Sequence, residues 1–263
     1  MPMKVAVFGG SGFVGRHLIP ILLEEYDVTY ISRNENKWLK EIGVNWIKGD
    51  IKNSDTIPDL SNFDLIIDLV AVINQKEQKH VDVNVNGVKN ILSKMNKKQK
   101  IIYFSALNAD IGQTEYFRTK REAEKIITER GNYLIFRPSI IFGEDDYLTL
   151  MLKKLNTPFI PKSGFLCPVY VESLSNLVKE MLLNNGIVEV SGPERIKLVD
   201  MYKIVKGKKA IEIPHFLIYP FLPFLPISNE QLKMLKLDFC RPQDIWTVYG
   251  IEPVKYKEFF INK

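Results

Sequence analysis

Apolar and polar positions along the chain alternate in a strand-then-helix rhythm. Lys4-Val-Ala-Val-Phe8 is a short, nearly all-apolar run of strand length. Leu18, Ile19, Leu22 and Leu23 then recur at helical spacing between Arg16 and Glu25. The pattern predicts further strands over Asp27–Ser32, Val44–Ile51, Phe63–Ala71, Ile101–Phe104 and Tyr133–Pro138, and another near Ile187–Val190. Helices are expected from about Lys79 to Met95 and around Tyr116–Lys120. The run Phe63-Asp-Leu-Ile-Ile-Asp-Leu-Val-Ala71 is almost continuously apolar, as a parallel strand covered on both faces requires. These alternations predict an α/β fold, a Rossmann-type doubly wound parallel sheet. After residue 143 the rhythm loosens. Residues 1–263 are read as one domain, with a small C-terminal substrate-side lobe drawn mainly from about 144–170 and 193–263.

The turn out of the first strand, Gly9-Gly-Ser-Gly12-Phe-Val-Gly15, has glycines spaced three apart. Gly9 permits a tight strand-to-helix turn. Gly12 lets backbone N–H groups approach a pyrophosphate, and Gly15 lets the helix pack closely. The helix N-terminus then offers free N–H groups and a positive dipole end to phosphates. The second strand ends where a ribose-reading residue belongs. No acid stands at Ile31, Ser32, Arg33 or Asn34, although an NAD-selective site usually carries one there. Arg33 can form a charge-assisted fork with a 2′-phosphate and Ser32 can add a hydroxyl, so NADP(H) is expected over NAD(H). The alternative for Arg33 is an exposed loop arginine.

Two positions carry chemistry. Ser105 stands at the C-terminal end of the fifth strand, the edge where open parallel sheets bind ligands. In Tyr116-Phe-Arg-Thr-Lys120 the tyrosine and lysine share a helix face. The ammonium is expected to favour the phenolate and to lower the tyrosine pKa, preparing Tyr116 to exchange a proton with a substrate oxygen that Ser105 orients. The acidic loop Glu144-Asp145-Asp146 either meets a polar substrate or, the favoured reading, caps the next helix.

The glycine spacing, Phe104-Ser-Ala-Leu-Asn-Ala-Asp110, Glu115-Tyr-Phe-Arg-Thr-Lys120, Phe136-Arg-Pro-Ser-Ile-Ile-Phe-Gly143 and Pro168-Val-Tyr-Val171 together resemble the extended and atypical short-chain dehydrogenases. They are similar to the branch that includes the nucleotide-binding accessory subunit of respiratory complex I. Pro226 to Lys236 resembles that branch too. The resemblance implies a cofactor site formed by Gly9, Ser11, Gly12, Phe13, Val14 and Gly15, with Ser32 and Arg33 at the ribose. Asp50 and Ile51 would lie at the adenine, where Asp50 touches its amino group or caps its own turn. Leu69, Val70 and Ala71 would pack on the ribose, Asn84 would support the active-site helix, Lys120 would hold the nicotinamide ribose, and Pro138 belongs to the stretch closing the nicotinamide pocket. The implied activity is an NADP-dependent oxidoreductase acting on a small carbonyl or alcohol compound. Tyr116 would be its acid/base, Lys120 the electrostatic partner and Ser105 the substrate anchor. Two alternatives stay open: a non-catalytic, nucleotide-binding accessory subunit of a respiratory NADH dehydrogenase, and a nucleotide-sugar epimerase or dehydratase. The short interval from Ser105 to Tyr116 speaks against the second.

Composition adjusts this picture at the margins. A net charge of +5 comes mainly from lysine, densest in Lys89–Lys100 and Lys203–Lys209. No aromatic residues interleave with either run, so they read as solvated helix ends rather than a nucleic-acid surface. Cys167 and Cys240 are read as separate reduced core thiols in an intracellular protein. His17, His80 and His215 lie far apart with no ligand cluster, so no metal site is expected. Entry into the first strand after Met1-Pro2-Met3 is read as leaving no signal peptide, which makes the cytoplasm the expected location. Pro214–Ile227 (PHFLIYPFLPFLPI) is aromatic and proline-rich. Core packing, a wall for a lipophilic substrate, and a patch docking a membrane's inner face or a respiratory-complex partner are its three readings.

Overall fold

The computed structural model describes residues 2–72, 79–225, 227–242 and 244–261. Its centre is a seven-stranded, all-parallel sheet in the order β10-β6-β5-β4-β1-β2-β3. The strands are β1 (Lys4–Phe8), β2 (Asp27–Ser32), β3 (Asn45–Lys48), β4 (Leu65–Asp68), β5 (Lys100–Phe104), β6 (Tyr133–Pro138) and β10 (Gly186–Val190). The order runs outward from β1 in both directions, as a doubly wound sheet does, so the connections part beside β1 and leave a crevice at the strands' C-terminal ends. The expected α/β Rossmann-type architecture is therefore the observed one.

Alternation along β1 shows how the sheet is covered. Val5 and Val7 face one core, with Leu18, Ile19 and Leu22 of α1 (Phe13–Leu22) and Leu174, Leu177 and Val178 of α6 (Val171–Met181). Ala6 and Phe8 face the other, with Val88 and Ile91 of α3 (Gly87–Ser93) and Ala123 and Ile127 of α4 (Glu115–Arg130). Burial on both faces is why these strands are continuously apolar.

A third core gathers the later elements: Leu152 of α5 (Tyr147–Lys154), Ile160 of β8 (Phe159–Pro161), Leu198 and Met201 of α7 (Leu198–Lys206), Leu232 of α8 (Asn229–Met234) and Tyr256 of α10 (Tyr256–Ile261). β11 (Ile211–Ile213) pairs with β8, and β7 (Ile141–Phe142) with β9 (Val169–Tyr170), in two small parallel sheets. Trp246, in the short helix Ile245–Val248, returns to the central sheet's core and donates its indole N–H to the Ser191 carbonyl at 2.8 Å.

Several expectations need correction. The first helix starts at Phe13, directly behind Gly12, rather than at Arg16. The helix expected from Lys79 opens as a π-helical stretch, Val81–Asn86, before becoming α-helical. Lys100 is not part of a solvated helix end: it is buried, and its ammonium donates to the Asn184 carbonyl. The two cysteines are not separate thiols. Cys167 and Cys240 form a disulfide with Cα atoms 5.0 Å apart, because Cys167 N–H donates to the Phe239 carbonyl and brings the two segments side by side. Seventy-three residues of sequence separation hid that proximity.

Within Pro214–Ile227, two short 3₁₀ turns (His215–Leu217 and Tyr219–Phe224) replace any long helix; Pro226 lies outside the described residues. Only part of the run packs inward. Ile218 is buried, whereas Phe216, Leu217, Tyr219 and Phe221 are exposed. Among the described residues no helix is long and apolar enough to cross a membrane.

Candidate functional site

The crevice beside β1 is a cavity of ≈ 290 Å³. Its rim begins in the glycine turn with Gly9, Ser11 and Gly12. Gly9 has φ +77, a conformation that disfavours any side chain. Packing rather than φ demands the neighbouring glycines. A methyl group on Gly10 would lie 2.6 Å from Tyr30 Cβ, and one on Gly15 would lie 2.5 Å from the Gly10 backbone. Gly15 thus closes the helix onto the turn itself, and Gly10, which the triplet reading passed over, closes it onto β2. Gly12 is exposed and caps α1 without any side-chain hydrogen bond, so the first N–H groups of the ten-residue helix are unused by a cap. A helix start built this way suits a phosphate.

Ser32 and Arg33 line the cavity at the end of β2, Asp50 and Ile51 after β3, and Leu69, Val70 and Ala71 after β4. Arg33 is exposed at the rim. The Ser32 hydroxyl is already engaged: it donates to the Asn34 carbonyl at 2.6 Å and accepts from the Trp46 indole at 3.1 Å. Its part is therefore to shape the loop presenting Arg33. Asp50 Oδ1 accepts the Lys52 N–H at 3.0 Å, the turn-capping role left open for it, and Asp50 also lines the cavity. Lys52 and Asn34 line it too and were not anticipated. Phe13, Val14, Gly15, Asn84, Lys120 and Pro138 are outside the cavity lining. Phe13 packs edge-on against His17, and Val14 packs on the sheet core. The Pro138 carbonyl accepts from Leu107 N–H.

The second part of the site is a buried corner. Ser105 follows β5, where its N–H is fixed on the Phe136 carbonyl at 2.8 Å. Its Oγ is buried without a hydrogen-bond partner, and so is Asn84 Oδ1. Asn84 spends its amide on α4, donating to Thr119 Oγ1 at 3.0 Å; Thr119 Oγ1 in turn donates to the Tyr116 carbonyl. This is the supporting contact expected of Asn84. The Tyr116 ring is held edge-on by His80 and Phe117. Burial pushes the Tyr116 hydroxyl up to about 12, the reverse of the lowering expected from Lys120.

The reason lies in where the lysine goes. Lys120 Nζ donates to the Phe104 carbonyl at 2.7 Å and to Tyr103 Oη at 3.1 Å. It is fully buried, which pulls its pKa down to about 8 against the opposing pull of Asp68 and Glu124. Asp68, opposite Tyr103 in the β4–β5 register, is buried and pushed up to about 6; the Val70 N–H and Lys120 hold it back. Asp68 and Tyr103 were missed in the sequence. The available signal was a carboxylate inside the apolar run Leu65–Val70; locally only the Val70 N–H meets it, donating to Oδ1 at 3.0 Å. Glu124 forms a two-point ion pair with Arg137 (2.9 and 2.6 Å), tying α4 to β6. Asp146 caps α5 through the Thr149 N–H at 2.8 Å, and Asp145 pairs with Arg16, so the acidic loop takes the capping role. Among the described residues no cluster could hold a metal ion.

Residues 6–122 match the sequence profile of the 3-beta hydroxysteroid dehydrogenase/isomerase family. Solved neighbours cover most or all of the chain. A UDP-glucose 4-epimerase from Thermus thermophilus, in complex with NAD, has a TM-score of 0.68 at 17% identity, over 89% of this chain and 97% of its own. The Bordetella bronchiseptica enzyme WbmH, in complex with NAD+, has a TM-score of 0.73 at 16% identity, over 99% and 96%. The chain shares the fold of these two enzymes. Curated relatives are matched over less of their length. A Dictyostelium discoideum protein named NADH dehydrogenase [ubiquinone] 1 alpha subcomplex subunit 9, mitochondrial, is 31% identical over 61% of this chain and 49% of its own. An Escherichia coli O157:H7 undecaprenol-linked N-acetylglucosaminyl 4-epimerase is 26% identical over 54% and 50%. The chain thus spans about half the length of these curated relatives.

Proposed function

We propose that the protein is an NADP(H)-dependent oxidoreductase acting on a small carbonyl or alcohol compound. The carrying observation is the buried, unpartnered Ser105 Oγ at the C-terminal end of β5. A hydroxyl in that position costs stability unless a ligand oxygen meets it. The cleft at the same edge of the sheet fits a dinucleotide: the uncapped start of α1 suits the pyrophosphate, Arg33 suits a 2′-phosphate, and Leu69–Ala71 suit the ribose. When bound, the nicotinamide donates or accepts the hydride. The residues of this chain would do the rest. Ser105 would hold the substrate oxygen and Tyr116 would exchange its proton, while Lys120 would turn from Tyr103 and the Phe104 carbonyl towards the ribose and the tyrosine. A purified sample should oxidise NADPH with some member of a panel of small aldehydes and ketones, and Tyr116→Phe should abolish that turnover. Undiminished turnover in the variant removes Tyr116 from the reaction.

One set of observations favours a second reading, a nucleotide-binding accessory protein without turnover. Lys120 is satisfied by Tyr103 and Phe104, and the Tyr116 hydroxyl is held protonated by burial. The Dictyostelium relative carries the name of a subunit of a larger assembly. Under this reading nucleotide stays bound and no carbonyl compound is reduced.

A further inference from the structure

An apolar face in the C-terminal elements is used by neither the cleft nor the Tyr116 corner. β8 and β11 pair with Phe159 opposite Ile211. Paired residues leave the same side of a sheet, and these two are 52% and 59% exposed. From β11 the chain passes Pro214 into the two 3₁₀ turns. The His215 ring nitrogen, 2.6 Å from the Lys162 carbonyl, fixes the first turn beside the end of β8. Ile218 anchors the turns in the core, while Phe216 (68% exposed) and Phe221 (62% exposed) stand outward on either side of it.

Lysine dominates the charge of the segments that carry this face. Residues 153–162 and 203–221 together contain seven lysines and a single acid, Glu212. Glu212 is occupied: it is 3.6 Å from Lys197 Nζ and accepts the Ser163 N–H. Lys206 donates to the Lys153 carbonyl, which brings the lysine-bearing C-terminal ends of α5 and α7 together at the edge of the patch. Lys154, Lys162, Lys208 and Lys209 are exposed and make no ion pair among the described residues.

Aromatic side chains rimmed by unpaired lysines match a surface that is apolar beneath and anionic above. Interfacial aromatic residues sit at the boundary between headgroups and acyl chains, and lysines beside them gain from anionic headgroups. Protein interfaces, by contrast, are depleted in lysine. We propose that this face docks the protein peripherally on an anionic lipid bilayer. Phe216 and Phe221 enter the headgroup boundary, and Lys208 and Lys209 face the lipid phosphates.

The test is sedimentation of the full chain with phosphatidylcholine vesicles, with and without phosphatidylglycerol. Binding is expected only to the anionic vesicles and should weaken as salt is added. The pairs Phe216→Ser/Phe221→Ser and Lys208→Glu/Lys209→Glu should each reduce partitioning roughly tenfold. Both should keep the wild-type melting temperature and NADPH affinity, since all four residues are exposed and lie outside the cleft. Absence of vesicle binding overturns the proposal, as does equal binding to neutral vesicles. It also falls if this face binds a protein, or a second copy of the chain, while vesicles stay unbound.

Discussion

The two halves of the site follow opposite rules. The nucleotide cleft is open and built from backbone: an uncapped helix start, a glycine held at positive φ and an arginine at the rim. The Tyr116–Lys120 corner is dry and built from side chains that meet from distant parts of the sequence, and it has spent most of its hydrogen bonds on itself. The dry corner shifts its groups by desolvation more than by their neighbours, so a tyrosine beside a lysine ends with a raised pKa. Proximity along a helix therefore does not establish electrostatic activation; the direction of the ammonium does.

The strongest way to break this contrast is Tyr116→Phe. Turnover should fall about 10²–10⁴-fold, the usual weight of a general acid or base, while NADPH affinity measured by fluorescence titration stays within about twofold. Comparable losses in both would mean that the two halves work as one. Cutting the Cys167–Cys240 bridge by serine substitution should cost about 4 kcal/mol of stability, because the bridge closes a long loop. Denaturant melts would show that loss, and nucleotide affinity should survive it because neither cysteine lines the cleft. Arg33→Ala should weaken NADPH binding by about 10- to 100-fold, the scale of a charge-assisted pair, and leave NADH binding nearly unchanged. Equal losses for the two nucleotides would sink the 2′-phosphate assignment.

The smallest effect concerns pH. The Asp68 carboxyl is pushed up to about 6 by burial. Its contribution to stability is therefore fully present below its unfolded value near 4 and is lost as pH rises through about 6. Lys120 is pulled down to about 8, so its contribution is present at alkaline pH and lost as pH falls through about 8. Asp68→Asn should flatten the stability profile between pH 4 and 6. It should also move the alkaline limb of turnover to lower pH, because Asp68 helps keep Lys120 charged. Thermal melts and pH–rate profiles of the variant would register both changes, and an unmoved alkaline limb would separate Asp68 from the lysine.

The sheet was readable because each strand carries its own evidence: β2 and β6 have the bounds expected of Asp27–Ser32 and Tyr133–Pro138. The cleft was readable for a similar reason. Gly9, Gly12, Arg33 and Leu69–Ala71 are tied to it by short-range order along successive βα units. What stayed hidden depends on long-range approach. The disulfide joins segments 73 residues apart, and the Lys120 ammonium is claimed by a carbonyl and a phenol on β5 rather than by Tyr116 on its own helix. Asp68 could be seen as an acid in an apolar strand, but its place beside Tyr103 and Lys120 became visible only when β4 and β5 were side by side. The aromatic run after Pro214 hides its division for the same reason. Local sequence marks it as apolar, and only packing decides that Ile218 turns in while Phe216 and Phe221 turn out.

The central claim is that nucleotide is a co-substrate exchanged at an open cleft, serving chemistry at the dry corner. Chasing labelled NADPH from the purified protein with excess unlabelled NADPH tests it most directly. The account predicts exchange within seconds; nucleotide retained for hours would contradict it and mark a structural cofactor in a protein without turnover.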